Sequence, residues 1–549
     1  MKNKLLSTLF LMVIGFSAIS QEQINRYFIY YTDKAGDNYP YTLSSPEDFL
    51  TQKAIERRAK QNIQIEESDL PVDPEYVQGL KDAGADVFFH SRWLNGSLVN
   101  LDTTLLEDIA SLPFVDSIAW IAAGTRLTYN QTVPDTPTEF DPPTSIGGDS
   151  DIQLMMVGAD HMHADNNKGQ GMLIAVLDNG FKGVNQYSPF QHIWENNRII
   201  ATKDFVSNSG NVYQFGDHGT SVFSIISAKH ESSEGDFFGI AYEANFILCI
   251  TEDNAAENRV EEYNWLLGAE YADSLGADII NGSLGYRNFD IEEHNYDFSD
   301  FDGETTVVSK AATIAAQKGI IVAVSAGNEG NKSWKRITPP ADGKGILTVG
   351  SVDADFSYSS FSSVGNTLDG RIKPEVSAFG GATTVMRSSG AIQRGSGTSF
   401  ASPLIAGFAA GIWQANPDWT STEVIAAIKN SAHQNQNPDS LKGWGVPNYG
   451  YAVKGEIALN ITDILDDKVT IYPNPFIGDT LYLLTEGKFA KGMTIKVLDP
   501  KGSLVFNQEF KKRDIKENME LRIDSSQQGV YFLFLQIGNN QKIVKLINF

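Results

Sequence analysis

The sequence predicts an α/β protein whose parallel sheet is covered by helices on both faces. A small α+β unit is predicted before it and a small all-β sandwich after it. Short apolar runs alternate with helical patterns over residues 151–456, as in a buried parallel sheet. Strands and helices mix over residues 21–130, and only short alternating strands follow residue 465. At roughly 100–200 residues per domain, a chain of 549 residues has room for three or four such units.

Composition and charge argue against several classes of function. The formal net charge is −25, whereas a nucleic-acid-binding protein needs a basic face, so no nucleic acid partner is predicted. The single cysteine, Cys249, excludes an intramolecular disulfide and a cysteine-based zinc site.

Residues 1–20 have the composition of a secretory signal peptide. Two lysines precede an apolar run over residues 5–14, and small residues at 18–20 fit a signal peptidase that cuts after Ser20. A membrane anchor is the alternative, but the run is shorter than the roughly 20 residues that a spanning helix needs. No later stretch is long and apolar enough, so no transmembrane helix is predicted.

Residues 21–130 predict a folded α+β unit that precedes a linker. The predicted strands are 26–31, 86–90, 97–101 and 115–121, and the predicted helices are 46–61, 74–83 and 103–111. The next stretch, residues 131–150, is rich in Pro, Asp and Thr and is typical of a linker that is easily cleaved. A folded unit between a signal peptide and such a linker suggests a propeptide, although an ordinary N-terminal domain would give the same pattern.

The central residues supply the strands and helices of the parallel sheet. The predicted strands are 172–177, 246–250, 278–280, 320–324 and 346–349, and the predicted helices are 152–166, 220–229, 261–275 and 305–318. Reactive residues in such a sheet gather beyond the carboxyl ends of the strands. That edge is therefore where we expect the functional site.

Three polar residues lie where this sheet would collect its reactive groups. Asp178 ends the first central strand, and His218 and Ser399 each begin a helix inside a glycine-containing motif. A serine hydroxyl is a poor nucleophile unless a base accepts its proton and a carboxylate fixes the tautomer of that base. Taken singly, an Asp at a strand end is usually a cap, a buried His is usually a satisfied core residue, and a Gly-Thr-Ser segment is usually a turn.

The segments around these residues resemble the Asp, His and Ser motifs of the subtilisin-like serine peptidases, in the chain order of that family. The resemblance implies that Asp178 orients the imidazole, that His218 acts as general base and then general acid, and that Ser399 attacks the peptide carbonyl. Ser-Ala-Gly-Asn-Glu-Gly at residues 325–330 resembles the oxyanion motif of the family. By that resemblance Asn328 donates to the oxyanion together with the backbone N–H of Ser399.

Asn-Gly-Ser-Leu-Gly at residues 281–285 resembles the substrate-binding strand of the same family. The resemblance implies two walls of the substrate cleft: Ser283, Leu284 and Gly285 pair with the extended substrate, and Ala326 and Gly327 form the opposite wall of the primary pocket. The floor of that pocket lies near Thr338, which favours small side chains. The family also carries a cis proline here, which would be Pro340.

Residues 465–549 resemble the C-terminal sorting domain of type IX secretion cargo in Bacteroidetes, although an ordinary β accessory domain is the alternative. The matching pieces are Tyr-Pro-Asn-Pro at residues 472–475, Gly-Val-Tyr-Phe at 529–532 and the lysine-containing strand at 541–545. Residues 26–120 resemble, more loosely, the inhibitory chaperone propeptide of subtilases. These resemblances imply a protein that is secreted or held at the cell surface.

The sequence therefore predicts a secreted serine endopeptidase that acts through an acyl-enzyme on Ser399. Its expected partners are protein or peptide substrates, its own propeptide as an intramolecular inhibitor, and the secretion machinery. A non-catalytic surface binding protein on the same scaffold is the alternative, and the intact triad argues against it. The chemistry requires no cofactor. The acidic stretch 290–304 has oxygens that could hold calcium, but its irregular spacing is more typical of a solvated loop, so no metal is predicted.

Overall fold

The computed structural model describes residues 24–34, 38–125, 133–148, 150–232, 235–354, 356–454, 469–472, 476, 479–485, 492–499, 503–516, 518–523, 529–537 and 540–548. They form an N-terminal unit (residues 24–125), a central unit (133–454) and a C-terminal unit (469–548). The predicted signal peptide lies outside the described residues. Among the helices that are described, none has the length and apolar character needed to cross a membrane.

A seven-stranded parallel sheet forms the middle of the central unit. In sheet order its strands are Val376–Phe379, Leu347–Val352, Ile321–Ser325, Ile279–Gly282, Leu173–Asp178, Asn245–Ile250 and Ile199–Asp204. Every residue of Leu173–Asp178 is buried, as expected for a strand covered on both faces. The strand Ile199–Asp204 was not predicted, because it lies at the sheet edge, is only partly buried and lacks a continuous apolar run.

Helices cover both faces of this sheet, which confirms the predicted fold class. The longer ones are His218–Ser227, Val260–Leu275, Val307–Gln317, Thr398–Ala415 and Ser421–Asn430. Thr398–Ala415 is buried from its first residue to Trp413. Two glycines allow this close packing: a Cβ on Gly407 or Gly411 would lie 2.1 Å from the side chain of Ile240 or Met162, respectively.

The single helix predicted over residues 152–166 is wrong. Two short helices, Asp151–Met156 and Ala159–Ala164, replace it, because Gly158 adopts a left-handed φ of 72° between them. On the second of these helices, the Nε2 atom of His163 is hydrogen-bonded to the carbonyl oxygen of Ile240 at 2.9 Å.

The N-terminal unit is a four-stranded antiparallel sheet with three α-helices. In sheet order the strands are Asp86–Ser91, Gly96–Asp102, Ile24–Tyr31 and Val115–Ala123, and the helices are Gln52–Lys60, Pro74–Asp82 and Leu106–Ala110. The helix predicted at 46–61 starts later than expected, because the Thr51 side chain accepts a hydrogen bond from Ala54 N and caps the helix there. A separate 3-10 turn, Pro46–Asp48, precedes it.

The central strand Ile24–Tyr31 of the N-terminal sheet is buried on both faces. Tyr27, Ile29 and Tyr31 lie in the small core that this unit forms by itself. The alternate residue Phe28 belongs to the core of the central unit, and its ring lies 4.8 Å from that of Tyr263 on Val260–Leu275. The N-terminal unit is therefore packed directly onto a helix of the central unit.

Much of the predicted linker at 131–150 is attached to the central unit. Its strand Ser145–Ile146 pairs in parallel with Ala391–Gly395. The backbone N–H of Asp141 donates to Gln186 O at 2.8 Å, and that of Thr144 donates to Gly390 O at 2.9 Å. These residues are therefore not a free linker, because backbone hydrogen bonds hold them on the central unit.

The C-terminal unit is all β, as predicted. One antiparallel sheet contains Val469–Tyr472, Thr480–Thr485 and Asn518–Arg522, and a second contains Leu504–Phe510, Met493–Leu498, Gly529–Ile537 and Asn540–Asn548. Apolar residues of both sheets form one common core. The strands Val469–Tyr472 and Asn518–Arg522 were not predicted as strands.

Candidate active site

Asp178 ends the strand at which the chain order of the sheet reverses. Ile279–Gly282 lies on one side of this strand and Asn245–Ile250 on the other, and ligands bind at such a switch point in open α/β sheets. The Asp178 side chain is fully buried, and its Oδ1 atom accepts the backbone N–H of Asn179 at 2.8 Å. The carboxylate is therefore fixed before any substrate arrives.

His218 begins the helix His218–Ser227 and faces Asp178. Its Nδ1 lies 2.8 Å from Oδ1 and 3.1 Å from Oδ2 of that carboxylate. This contact favours the tautomer with the proton on Nδ1, which leaves Nε2 as the basic nitrogen. Burial lowers the pKa of His218, but the Asp178 carboxylate raises it by more, so the pKa lies above its ordinary value.

Gly219 makes this close approach of helix and strand possible. A Cβ at this position would lie 2.3 Å from Gly180 O and 3.0 Å from the Cβ of Asp178. Any side chain larger than hydrogen would therefore push the helix start, and His218 with it, away from the carboxylate.

Ser399 is the second residue of the buried helix Thr398–Ala415. The next residue, Phe400, stacks on the His218 ring with 6.0 Å between ring centroids, so the helix start lies against the imidazole. Within the described part of the chain, the Ser399 Oγ makes no hydrogen bond. In enzymes without substrate the bond between nucleophile and base is often long and tightens only when substrate binds.

Asn328 points its amide toward Ser399. Its Oδ1 accepts the backbone N–H and the hydroxyl of Thr398, both at 3.0 Å, which identifies the other atom, Nδ2, as the free donor. A Cβ on Gly397 would lie 3.1 Å from Ser399 Oγ and 3.7 Å from Asn328 Nδ2. The glycine therefore leaves open a volume that both the nucleophile and the amide donor border.

The predicted walls of the primary pocket meet at Thr338. A Cβ on Gly285 would lie 2.4 Å from Thr338 Oγ1, and one on Gly327 would lie 2.9 Å from the same atom. Gly327 has a left-handed φ of 102°. The pocket between these glycines is narrow, and the Pro339–Pro340 peptide bond beside it is cis.

The other predicted wall residues occupy neighbouring positions. Ala326 is fully buried, and its backbone N–H donates to Val349 O at 2.9 Å. Ser283 is buried, and its Oγ accepts a hydrogen bond from Asn281 Nδ2 at 3.0 Å, while Leu284 is half-buried. The structure thus places all nine predicted site residues around the carboxyl edge of the sheet.

An acidic cavity of about 520 Å³ beside His218 was not anticipated. It is lined by Asn179, His218, residues 252–257, Glu261, residues 283–285 and Asp290. Burial raises the pKa of Glu252, and burial together with repulsion from Glu252 raises that of Glu261. The signal in the sequence was Thr-Glu-Asp-Asn directly after the strand Asn245–Ile250, at the same sheet edge that holds Asp178.

The acidic stretch 290–304 uses several of its carboxylates to hold turns. Asp302 Oδ1 accepts the backbone N–H groups of Glu304 and Thr305, both at 2.8 Å, and Asp297 and Asp300 form a capping box. In the part of the chain that is described, no three acidic, histidine or cysteine side chains converge as metal ligands.

Three regions of the chain match protein families. Residues 169–445 match the subtilase family, peptidase S8. Residues 26–136 match the peptidase S8 propeptide domain of Bacteroidota, and residues 470–548 match a secretion system C-terminal sorting domain.

Individual proteins resemble the chain over the same central region. Serine protease AprX of Bacillus subtilis is 30% identical over 315 residues, which cover 52% of this chain and 67% of that protein. A subtilisin of Bacillus pumilus is 30% identical over 285 residues, which cover 51% of this chain and 90% of that protein. Among solved structures, MycP1 of Mycobacterium smegmatis is 23% identical, with a TM-score of 0.45 and coverage of 60% of this chain and 93% of that one.

Proposed function

The chain belongs to the subtilase family of serine peptidases, and from that premise we propose that it is a secreted endopeptidase that cleaves proteins through an acyl-enzyme on Ser399. Its sorting domain indicates export, either into the medium or to the cell surface. The observation that carries the proposal is the 2.8 Å contact between His218 Nδ1 and Asp178 Oδ1 beside the helix that starts with Thr398 and Ser399.

Acylation begins when Ser399 Oγ attacks the carbonyl carbon of the scissile peptide bond. His218 Nε2 accepts the hydroxyl proton, and the buried Asp178 carboxylate stabilises the imidazolium without itself becoming protonated. The oxyanion lies in the volume beside Gly397 and accepts hydrogen bonds from Asn328 Nδ2 and from the backbone N–H of Ser399. His218 then protonates the leaving amine, and the C–N bond breaks.

Deacylation repeats these steps with water. His218 Nε2 takes a proton from the water as its oxygen attacks the acyl carbon. The oxyanion forms again beside Asn328, the bond to Ser399 Oγ breaks, and His218 returns the proton to that oxygen.

The substrate binds in extended form along residues 283–285. The residue before the scissile bond enters the pocket between Gly285 and Gly327. Because Thr338 Oγ1 lies between these two glycines, we propose that small side chains are preferred there.

The experiment that tests the proposal compares wild type with Ser399→Ala and with Ser396→Ala on a mixed peptide library. Ser396 is an exposed serine of the same motif and serves as the matched control. We expect Ser399→Ala to lower kcat by at least about 10⁴-fold, because the nucleophile is lost. Ser396→Ala should remain active.

Sequencing the N-terminus of each secreted variant completes the test. A matured wild type whose hydrolysis does not depend on Ser399 would reject the peptidase and favour a binding protein on the same scaffold. A library cleaved mainly after bulky aromatic residues would reject only the small primary pocket.

A further inference from the structure

A phenylalanine beside the proposed nucleophile contacts both the imidazole and an arginine that the mechanism does not use. Phe400 follows Ser399 in the chain, is 4% exposed, and stacks on the His218 ring with 6.0 Å between ring centroids. The guanidinium carbon of Arg387 lies 5.8 Å from the centroid of the same phenyl ring, within the range of a cation–π contact. Arg387 can therefore act on the imidazole through this ring as well as through its charge.

Gly395 leaves room for the contact between the phenyl ring and the guanidinium. A Cβ at this position would lie 2.7 Å from Cε2 of Phe400 and 3.0 Å from Nη2 of Arg387. Gly395 ends the strand Ala391–Gly395, whose extended backbone does not itself require a glycine. The close packing of the two side chains is therefore what a larger residue would disturb here.

The guanidinium is anchored at the start of the helix that carries the general base. Arg387 Nη1 lies 3.3 Å from Oδ2 of Asp217, the residue just before His218, and 3.4 Å from Ser221 Oγ. The other oxygen of the same carboxylate accepts the backbone N–H of Ser388 at 2.7 Å. Asp217 thus holds the side chain of Arg387 and also the backbone next to it.

The hairpin that contains Arg387 is fixed on two sides. Its antiparallel strands are Thr383–Met386 and Ala391–Gly395, and Arg387 begins the turn between them. The last backbone N–H of the first strand donates to Ser224 Oγ, on the helix of the general base, at 2.9 Å. The second strand pairs with Ser145–Ile146. The fold therefore sets the position of Arg387, and a partly exposed ion pair, which contributes little by itself, only has to orient its guanidinium.

Arg387 is one of several charged groups around the imidazole. Burial and the Asp178 carboxylate have the largest effects on the pKa of His218; Arg387 then lowers it, and Asp217 raises it by less. The acidic cavity also borders His218, and its carboxylates are those of Glu252, Asp253, Glu257, Glu261 and Asp290. The positive charge of Arg387 opposes all of these carboxylates, because it disfavours the imidazolium.

We propose that Arg387 is a positioning residue of the peptidase, which, anchored by Asp217, holds the Phe400 ring against the imidazole and opposes the surrounding carboxylates. The inference rests on the proposed function and adds a residue to its machinery. His218 must be neutral to accept the proton of Ser399, and carboxylates alone would keep it protonated to higher pH. Arg387 extends the pH range in which the base is available without itself contacting the substrate.

The first test measures kcat/KM of the matured enzyme against pH on one peptide, because its acid limb reports the general base of the free enzyme. In Arg387→Gln the imidazolium loses a repulsive neighbour, so the limb should move to higher pH by about 0.3–0.6 pH units. In Asp217→Asn it loses an attractive carboxylate, so the limb should move to lower pH. Arg387→Lys keeps the charge and should keep the limb of wild type.

The second test asks whether Arg387 acts through the phenyl ring. Phe400→Leu should lower kcat on the pH plateau by about tenfold with little change in KM, because the imidazole is less well oriented. Arg387→Gln should also lower the plateau kcat. The double variant should have the kcat of Phe400→Leu alone, since the two residues act in series.

Arg394→Gln is the matched control for both tests. Arg394 is an exposed arginine on the second strand of the same hairpin. Its replacement removes the same charge from the same element, and both the acid limb and the plateau kcat should equal those of wild type.

An acid limb that Arg387→Gln leaves in place or moves to lower pH would overturn the inference. So would an equal shift in Arg394→Gln, or a double variant whose loss of kcat is the product of the two single losses. Asp217→Asn changes a half-exposed side chain and keeps the first test decisive if Arg387→Gln fails to fold.

Failure of the inference and failure of the proposed function are told apart by two further measurements. Wild-type hydrolysis that depends on Ser399, without the expected shifts, would reject only the role of Arg387. Wild type without such hydrolysis would reject the proposed function. In that case NMR titration of ¹⁵N-labelled histidines in the Ser399→Ala chain, with and without Arg387→Gln, follows the protonation of His218 without turnover, and an unchanged titration would overturn the inference as well.

Discussion

Thr398, which precedes the proposed nucleophile Ser399, holds Asn328 in the orientation that an oxyanion donor would need. Thr398 donates twice to its Oδ1, so the amide cannot flip without losing both bonds. The Thr398 hydroxyl oxygen also accepts the backbone N–H of Gly327 at 3.2 Å, which ties the amide to the wall of the primary pocket. A donor fixed in advance needs no reorganisation during the reaction, and this is why such groups stabilise transition states well.

Replacement of Asn328 by alanine is expected to lower kcat by about 10²–10³-fold, the range that loss of such a donor gives in related peptidases. KM should change little, because the amide contacts the oxyanion rather than the ground-state substrate. Steady-state kinetics on one peptide measures both values. A rise in KM at constant kcat would instead mean that Asn328 binds substrate and does not stabilise the oxyanion.

At the scale of secondary structure, the N-terminal ends of two helices position the residues of the candidate site. His218–Ser227 and Thr398–Ala415 both begin at the carboxyl edge of the sheet, so the His218 ring contacts Phe400, the residue after Ser399, although the two are far apart in sequence. The first turn of a helix has unpaired N–H groups and a partial positive charge. The start of Thr398–Ala415 would therefore favour the oxyanion of the proposed mechanism.

Residues 133–148 form an arm that we expect to stay with the mature enzyme. The carbonyl oxygens of Val133 and Pro134 accept hydrogen bonds from Asn211 and Asn185, at 2.6 and 2.7 Å, and the strand Ser145–Ile146 follows. Cleavage within this arm would require its backbone to leave these partners. We therefore expect the first residue of the mature chain to be Val133 or an earlier residue.

N-terminal sequencing and intact mass of the secreted wild type locate this cut. The Ser399→Ala chain is the control, because it should keep the N-terminal unit attached. A mature N-terminus between residues 134 and 148 would contradict the expectation and would mean that the arm detaches before it is cut.

At the scale of the whole molecule, the N-terminal and central units are joined through a buried ionic cluster. Asp273, near the C-terminal end of the helix Val260–Leu275, contacts Arg57 Nη2 at 2.5 Å, Arg58 Nη2 at 2.7 Å and Arg92 Nη2. One turn earlier, Glu270 accepts the backbone N–H of Arg92 at 3.0 Å. A carboxylate near the C-terminal end of a helix is unfavourable by itself, so this one depends on the arginines of the other unit.

Asp273→Asn, made in the Ser399→Ala chain, is expected to weaken the association of the N-terminal unit with the central unit strongly. Removing one partner from a buried ionic cluster costs about 3–5 kcal/mol, because the remaining charges stay buried without compensation. Trypsin should then remove the N-terminal unit on the order of 10²–10³-fold faster. Lys53→Ala is the control: Lys53 pairs with Asp278 but its side chain is 40% exposed, so its loss should change the rate by less than about fivefold. Equal rates for both variants would contradict the assigned role.

The same cluster sets the pH range over which the two units stay together. Burial raises the pKa of Asp273, but the three arginines lower it by more, to about 2. The contribution of Asp273 to the association of the two units is therefore complete above pH 3.8, the ordinary pKa of an aspartate. It is lost only as the pH falls toward about 2. Burial raises the pKa of Glu270, so its protonation does not favour release. Once the chain between the two units has been cut, we expect them to remain associated from pH 8 to pH 5. Gel filtration at each pH would detect their separation.

The sequence by itself determined the fold class, the five inner strands and the positions of Asp178, His218, Ser399 and Asn328. Buried parallel strands are continuous apolar runs, so local sequence was sufficient for the strands. The site residues were singled out by their places at strand ends and helix starts together with the resemblance of their segments to the family motifs. The prediction from sequence failed at Gly158. This glycine divides the region 152–166, which was predicted to be one continuous helix, into two short helices.

Only the tertiary structure decided which separate segments meet. A strand over residues 26–31 directs Phe28 and Ile29 to opposite faces, but docking of the two units decided that both of these residues are buried. In the same way the acidic cavity brings together residues 252–257, Glu261 and Asp290 from separate segments. The physical reason is that a local pattern records which face of an element is apolar or charged, whereas burial and electrostatic coupling depend on what packs against that face.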